Sequence, residues 1–258
     1  MKKSKNRSLA VALCGVISLG LAQNDRADFI VNGNFTSTTS PLVSGGPGQM
    51  GFNNNATGWS TTGYNFLFAP GLADNGTGVS GQYGVLQLWG SNNGGVDTLT
   101  PPPDGGNFVA ADGAFSTEPI TQTITGLTIG NTYAVTFEWA AAQQSGYYTA
   151  TSDSWLVSLG GGASQNTGMV DIPAKGFSGW IGETFDYTAS NTSEVLSFLA
   201  AGAPTGQPPF ALLSNVSMVD LTPVPEPSQI MGGLFIVAIA GSFAMRKLLK
   251  KKETGAEA

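Results

Sequence analysis

Between Thr132 and Ala140 the chain alternates. Tyr133, Val135, Phe137 and Trp139 share one parity, and Ala134, Thr136 and Glu138 share the other. Successive side chains of an extended strand point to opposite faces, so this stretch can bury one face of a β-sheet. Trp155, Val157 and Leu159 repeat the period against Ser154, Leu156 and Ser158. Short apolar runs of this kind are separated by Gly, Asn and Asp turns, an all-β pattern. No long amphipathic helical pattern appears before Ile230.

Nine strands are expected: Phe29–Val31, Tyr83–Trp89, Asn107–Ala111, Ile120–Thr125, Thr132–Ala140, Trp155–Leu159, Glu183–Thr188, Glu194–Ala200 and Ala211–Leu221. They fit a two-sheet antiparallel β-sandwich, a jelly roll. The stretch Gly33–Gly81 is rich in Gly, Asn, Thr and Ser and reads as long loops with one or two short strands. Loops on a rigid β-scaffold are where binding usually resides.

The two ends differ from this body. Lys2, Lys3, Lys5 and Arg7 precede an apolar stretch, Leu9–Ala22, which has the form of a signal peptide. Cleavage after Ala22 suits Gly20-Leu21-Ala22, with Ala27 as the second choice. Leu13 before Cys14 is too large for a lipidation site. At the other end, Ile230–Met245 carries no charge and would form a helix about 24 Å long, enough to cross a bilayer with help from flanking residues. Arg246, Lys247, Lys250, Lys251 and Lys252 follow it and predict a cytoplasmic C-terminus. Just before the span, Val224-Pro225-Glu226-Pro227 cannot be helical through both prolines and reads as an extended handle. The expected organisation is a signal helix over 1–27, a β-sandwich over 28–221 and a C-terminal signal with one transmembrane helix over 222–258.

The charge distribution excludes several functions. Residues 28–227 contain 14 of the 17 acidic residues and a single cation, Lys175, for a net charge of −13. Such a body repels phosphate backbones, so nucleic acid is not a partner. The only cysteine, Cys14, lies in the signal peptide, and the chain has no histidine. This removes disulfides from the mature body, together with Ser-His-Asp and Cys-His nucleophile systems and His-based zinc sites.

The tail as a whole, with its Pro-Glu-Pro motif, apolar span and basic end, resembles the PEP-CTERM sorting signal of Gram-negative bacteria. That resemblance implies export across the inner membrane, anchoring by the C-terminal helix, processing by the membrane protease-transpeptidase exosortase, and release or attachment at the cell surface. Signal peptidase would act at the other end. A second set of residues, Phe29–Phe35 with Asn32-Gly33-Asn34-Phe35, Gly58-Trp59 and Leu213-Ser214-Asn215-Val216, resembles the opening and closing strands of galactose-binding-like jelly rolls, including carbohydrate-binding modules. Some of these domains hold a structural calcium with carboxylates where this chain has Thr36 and Ser214. The hydroxyls argue against that site, so no metal and no cofactor is expected.

Candidate site residues follow from chemistry. Trp59, Tyr64, Tyr147 and Tyr148 could stack on sugar rings in an exopolysaccharide. Buried aromatics account for Trp89, Trp139, Trp155 and Trp180. Asp97, Asp104 and Asp112 sit in Gly-rich turns. No catalytic residue is assigned, and the favoured reading is a non-catalytic, glycan-binding surface or matrix protein. One alternative is a polysaccharide hydrolase or lyase using two carboxylates from Glu138, Asp153, Glu183 and Asp186. Another is a self-assembling adhesion protein.

Overall fold

Tyr133, Val135, Phe137 and Trp139 all point into one apolar core, where they meet Trp155, Val157, Leu159, Leu196 and Phe198 from a facing sheet. The computed structural model describes residues 27–222. The stretch before Ala27 read as a signal peptide, the motif Val224–Pro227, the expected span Ile230–Met245 and the basic residues from Arg246 to Lys252 lie outside the described residues.

Twelve strands run in chain order: β1 (Asn65–Phe68), β2 (Val79–Gly81), β3 (Gly84–Leu86), β4 (Phe108–Asp112), β5 (Ile120–Thr125), β6 (Thr132–Gln143), β7 (Thr151–Leu159), β8 (Gln165–Asn166), β9 (Val170–Ile172), β10 (Ile181–Thr188), β11 (Ser193–Ala203) and β12 (Pro209–Asp220). One sheet has the order β1-β4-β12-β6-β10 and the other β5-β11-β7-β8, with β9 beside β7. Every strand pairing is antiparallel, and β2 and β3 form a separate hairpin. This is an all-β sandwich. No α-helix occurs among the described residues, and none of their helices is long and apolar enough to cross a membrane.

Buried polar bonds tie the two sheets together. The Trp155 indole Nε1 donates to the Leu212 carbonyl at 3.1 Å, and the Tyr187 hydroxyl donates to the Val157 carbonyl at 2.6 Å. Each satisfies a group that would be costly to bury alone.

The β1-β4-β12-β6-β10 sheet is covered on both faces over its middle. Its second face carries Phe66, Phe68, Phe108, Ala110, Ala140, Ala142, Phe210 and Leu212, and segments from 69–106 and 177–180 pack over them. All five residues of β4 and all four of β1 are therefore buried. Double burial gives continuous apolar strands rather than alternating ones. It explains why β1 falls inside the stretch read as loops.

Two other boundaries differ from the sequence reading. The stretch Tyr83–Trp89 is not one strand, because Tyr83 sits at the tip of the β2–β3 hairpin, Gly84–Leu86 pairs with β2, and Leu88 makes a separate bridge to Gln144. Phe29–Val31 is not a strand either. Phe29 N donates to the Met218 carbonyl, and the Asp28 carboxylate accepts from the amides of Ile30 and Met218, each at 2.9 Å. Asp28 thus ties the start of the domain to β12. The Thr36 hydroxyl bonds Asn34 and the Ser214 hydroxyl donates to the Asn107 carbonyl, so both are engaged within the protein.

Candidate functional site

The layer covering the second face stops short at one end of the sheet, and a cleft of about 440 Å³ opens there. Five parts of the chain converge on it. Tyr64 enters β1, and Asp112 ends β4 with Ala114 and Phe115 just beyond. Gln144 and Tyr147 follow β6, and Thr205, Gly206 and Pro208 come from the β11–β12 loop. Tyr83 reaches in from the tip of the β2–β3 hairpin.

The hairpin can come this close because Gly81 lacks a side chain. A Cβ there would lie 2.5 Å from the Phe66 ring and 2.7 Å from Gln49 Oε1. Gln49 Oε1 also accepts the Gln82 amide at 2.6 Å, which pins the hairpin tip to the body. The Tyr147 segment is fixed from behind, where Trp89 Nε1 donates to the Tyr147 carbonyl at 2.8 Å.

Three rings form one wall. Tyr64, Tyr83 and Phe115 make three mutual contacts with centroid separations of 5.4–5.8 Å, and Tyr64 also lies edge-on to Phe66 at 4.7 Å. Tyr64 is nearly buried, whereas Tyr83 and Phe115 are 65% and 47% exposed. The wall is thus anchored in the core and open to solvent at its rim. Asp112, Gln144 and Tyr147 place polar groups against these rings. An apolar concavity with a few convergent polar groups is the usual form of a small-molecule or saccharide site.

Asp112 is the charged group of the cleft. Its Oδ1 accepts from the amides of Ala114 (2.8 Å) and Phe115 (3.0 Å), which shapes the turn carrying the Phe115 ring. Oδ2 makes no hydrogen bond to the described residues. Burial raises the Asp112 pKa to about 6, against the opposing effect of those two amides. Burial and the neighbouring Asp112 charge raise the Tyr64 phenol in turn, so Tyr64 stays protonated and remains a donor.

Behind the cleft, Asp153 on β7 is fully buried, and neither of its carboxylate oxygens has a hydrogen-bond partner. Burial, reinforced by the Asp112 charge, raises its pKa well above the ordinary value, so it is held protonated. Gly202 lies opposite it, where a Cβ would sit 2.9 Å from Asp153 Oδ1.

The residues singled out from sequence are dispersed. Tyr64 and Tyr147 line the cleft together. Trp59 does not reach it. Trp59 is 4% exposed, packs against Phe35 and Phe198 in the core, and donates through Nε1 to the Asn32 carbonyl, so its ring offers no face to a ligand. Tyr148 is exposed but turns away from the cleft toward Trp89, with Lys175 Nζ 4.8 Å above the Trp89 ring and 5.6 Å from its own. Trp89, Trp139 and Trp155 are buried, and Trp180 is half-buried over Phe108 and Phe177. Asp97 and Asp104 accept backbone amides of Phe177 and Gly106.

The four carboxylates of the hydrolase alternative do not converge. Asp153 is in the core. Glu138 and Glu183 both border a depression of about 190 Å³, but Glu138 opposes Gly182 while Glu183 opposes Phe137, which places them on opposite faces of the sheet. Asp186 opposes Ala134, on the face of Glu138 but about 13 Å along the strand. No group of three or more His, Cys, Asp or Glu residues among the described residues could hold a metal ion.

Tyr83, Phe115, Asp112 and Gln144 join the cleft without having been singled out as contacts. A weak signal existed for Tyr83: Gly81-Gln82-Tyr83-Gly84 is a hairpin-turn sequence. Phe115 and Gln144 carry no comparable local mark.

No family model and no curated protein matches the chain. Solved structures similar to it include TmCBM61 in complex with beta-1,4-galactotriose (12% identity, TM-score 0.42, covering 75% of this chain and 99% of that one). A cyclase from Fischerella sp. TAU in complex with 4-(1H-Indol-3-yl)butan-2-one is similar over 78% of this chain and all of its own, at 13% identity and a TM-score of 0.47. A structure described as CBM4 is 17% identical over 74% of this chain and 99% of that one, with a TM-score of 0.34.

Proposed function

We propose that this chain is an exported cell-surface or extracellular-matrix protein whose jelly-roll sandwich binds glycan, without catalytic turnover, through the cleft of Tyr64, Tyr83, Phe115 and Tyr147. The observation that carries this reading is the ring wall itself, which is anchored in the core, open at its rim and faced by hydrogen-bonding groups. Sugar rings present C–H surfaces that stack on aromatic faces and hydroxyls that need polar partners, and the cleft offers both. Asp112, Gln144 and the tyrosine hydroxyls would take the hydroxyls. Their spread over four chain segments fits a site set by the sandwich end rather than by one loop.

Export rests on the two ends of the sequence, which signal peptidase and exosortase would process. The C-terminal helix would anchor the protein in the membrane until then. The partner at the destination would be an exopolysaccharide. Catalysis is not part of the reading, because the cleft holds one carboxylate open to a ligand and a hydrolytic pair needs two.

The test is a glycan and exopolysaccharide array probed with the full chain and with Tyr83→Ala. The wild-type chain is expected to bind at least one saccharide, and the variant to lose about tenfold or more in affinity with an unchanged melting temperature. No signal above a control protein would end the glycan reading and leave a structural surface role.

A further inference from the structure

We propose, resting on the reading of the cleft as a glycan site, that it accepts non-acidic saccharides and rejects uronic acids, and that Asp112 is the residue that makes this distinction. Asp112 ends β4 at the floor of the cleft, and its position is enforced by the two amides that Oδ1 accepts. The carboxylate cannot swing away without breaking the turn that presents Phe115. Oδ2 is left to a ligand, and the ligand groups that suit it are donors. Sugar hydroxyls and sugar ammonium groups donate, whereas a C6 carboxylate brings a second negative charge.

The groups around Asp112 do nothing to offset that second charge. Tyr64, Tyr83 and Tyr147 line the cleft beside it with phenol hydroxyls and bring no cation, and behind it Asp153 contributes a further carboxyl. No Lys or Arg of the described residues lines the cleft. The single cation among the described residues, Lys175, donates to the Gly94 carbonyl and lies over Trp89 and Tyr148. Sites that recognise carboxylates normally supply Arg or Lys for charge-assisted hydrogen bonds. The net charge of the body adds a long-range repulsion in the same direction.

Protonation gives an independent handle. Asp112 loses its charge as pH falls through about 6, while a uronate keeps its own. Rejection should therefore weaken between pH 7 and pH 5 without any substitution.

The experiment uses the full chain and matched pairs of polysaccharides that differ only in oxidation at C6: a galactan, a β-1,4-mannan and a β-1,4-glucan, each with its own C6-oxidised uronan of the same linkage. Affinities are measured at low salt at pH 7 and pH 5, and at pH 7 in 1 M NaCl. For the backbone that binds, the neutral member is expected to bind at least about tenfold more tightly at pH 7 and low salt. That ratio should shrink to about threefold or less at pH 5, in 1 M NaCl, and in Asp112→Asn. The asparagine retains an oxygen for the Ala114 and Phe115 amides, and a melting curve checks that it folds. Equal or tighter binding of the uronate member by the wild type would overturn the selectivity and leave the glycan reading standing. A ratio that neither pH nor salt changes would overturn the assignment to Asp112. No binding to any member would remove both.

Discussion

Two carboxyl groups decide how this protein responds to pH. Asp153 is buried without a partner and is held protonated, and Asp112 has a pKa of about 6. Both are raised above their unfolded values near 4. At these two groups the folded state therefore holds more protons than the unfolded chain once the pH exceeds about 4, and the stability they contribute is lost as pH rises from there. Asp112 accounts for the window between about 4 and 6, on the order of 3 kcal/mol, and Asp153 extends the loss to higher pH. Asp153→Asn should thus melt close to wild type at pH 4 and several degrees higher at pH 8. A melting temperature at pH 8 at or below wild type would contradict the account of Asp153. None of this was legible in the sequence, where Asp153 is one acidic residue in a β-strand and Asp112 reads as an Asp-Gly turn. Asp112 does make that turn, but its burial comes from the loops that cover the second face of the sheet. No local pattern reports a contact of that kind.

At the level of elements, alternation marked strands with one face in the core, and β6, β7, β10 and β11 lie where it placed them. It said less where both faces are covered: β4 and β12 lie where expected, but β1 was anticipated only as an unplaced short strand among the loops of Gly33–Gly81. β1 has four buried residues, its one polar residue Asn65 included, so it shows no alternation and resembled scattered loop aromatics. The β2–β3 hairpin was missed for a different reason. Tyr83 and Val85 are apolar enough to continue into Leu86, yet Gly81 and Gly84 turn the chain there. The consequence reached the site, because Tyr83 belongs to the turn and therefore to the cleft. Gly81 is the position on which this depends. Gly81→Val would drive a side chain into the Phe66 ring, at an expected cost of about 1–3 kcal/mol. It should also displace Tyr83 and weaken glycan binding more than the stability loss explains. Urea unfolding and saccharide titration on the same variant separate the two effects. Unchanged stability would show that the hairpin is free to move away from Phe66.

For the whole molecule, the two ends and the body give separate messages. Ten of the 11 cations lie in the stretches read as targeting signals, and the body between them is acidic. If exosortase acts near Pro225-Glu226-Pro227, the protein recovered from the cell surface should end near that motif. Mass spectrometry of the mature C-terminus in the native host, with and without exosortase, checks this. An intact Lys250–Ala258 tail in the wild type would overturn the sorting reading. The central claim is that glycan is bound by one cleft at the end of a sandwich. It is tested most directly by chemical-shift mapping of the chain during titration with a saccharide that binds on the array. Shifts concentrated at Tyr64, Tyr83, Asp112, Phe115 and Tyr147 are the predicted result. Shifts centred instead on the Glu138–Gly182 depression, or on Trp89 and Tyr148, would contradict it.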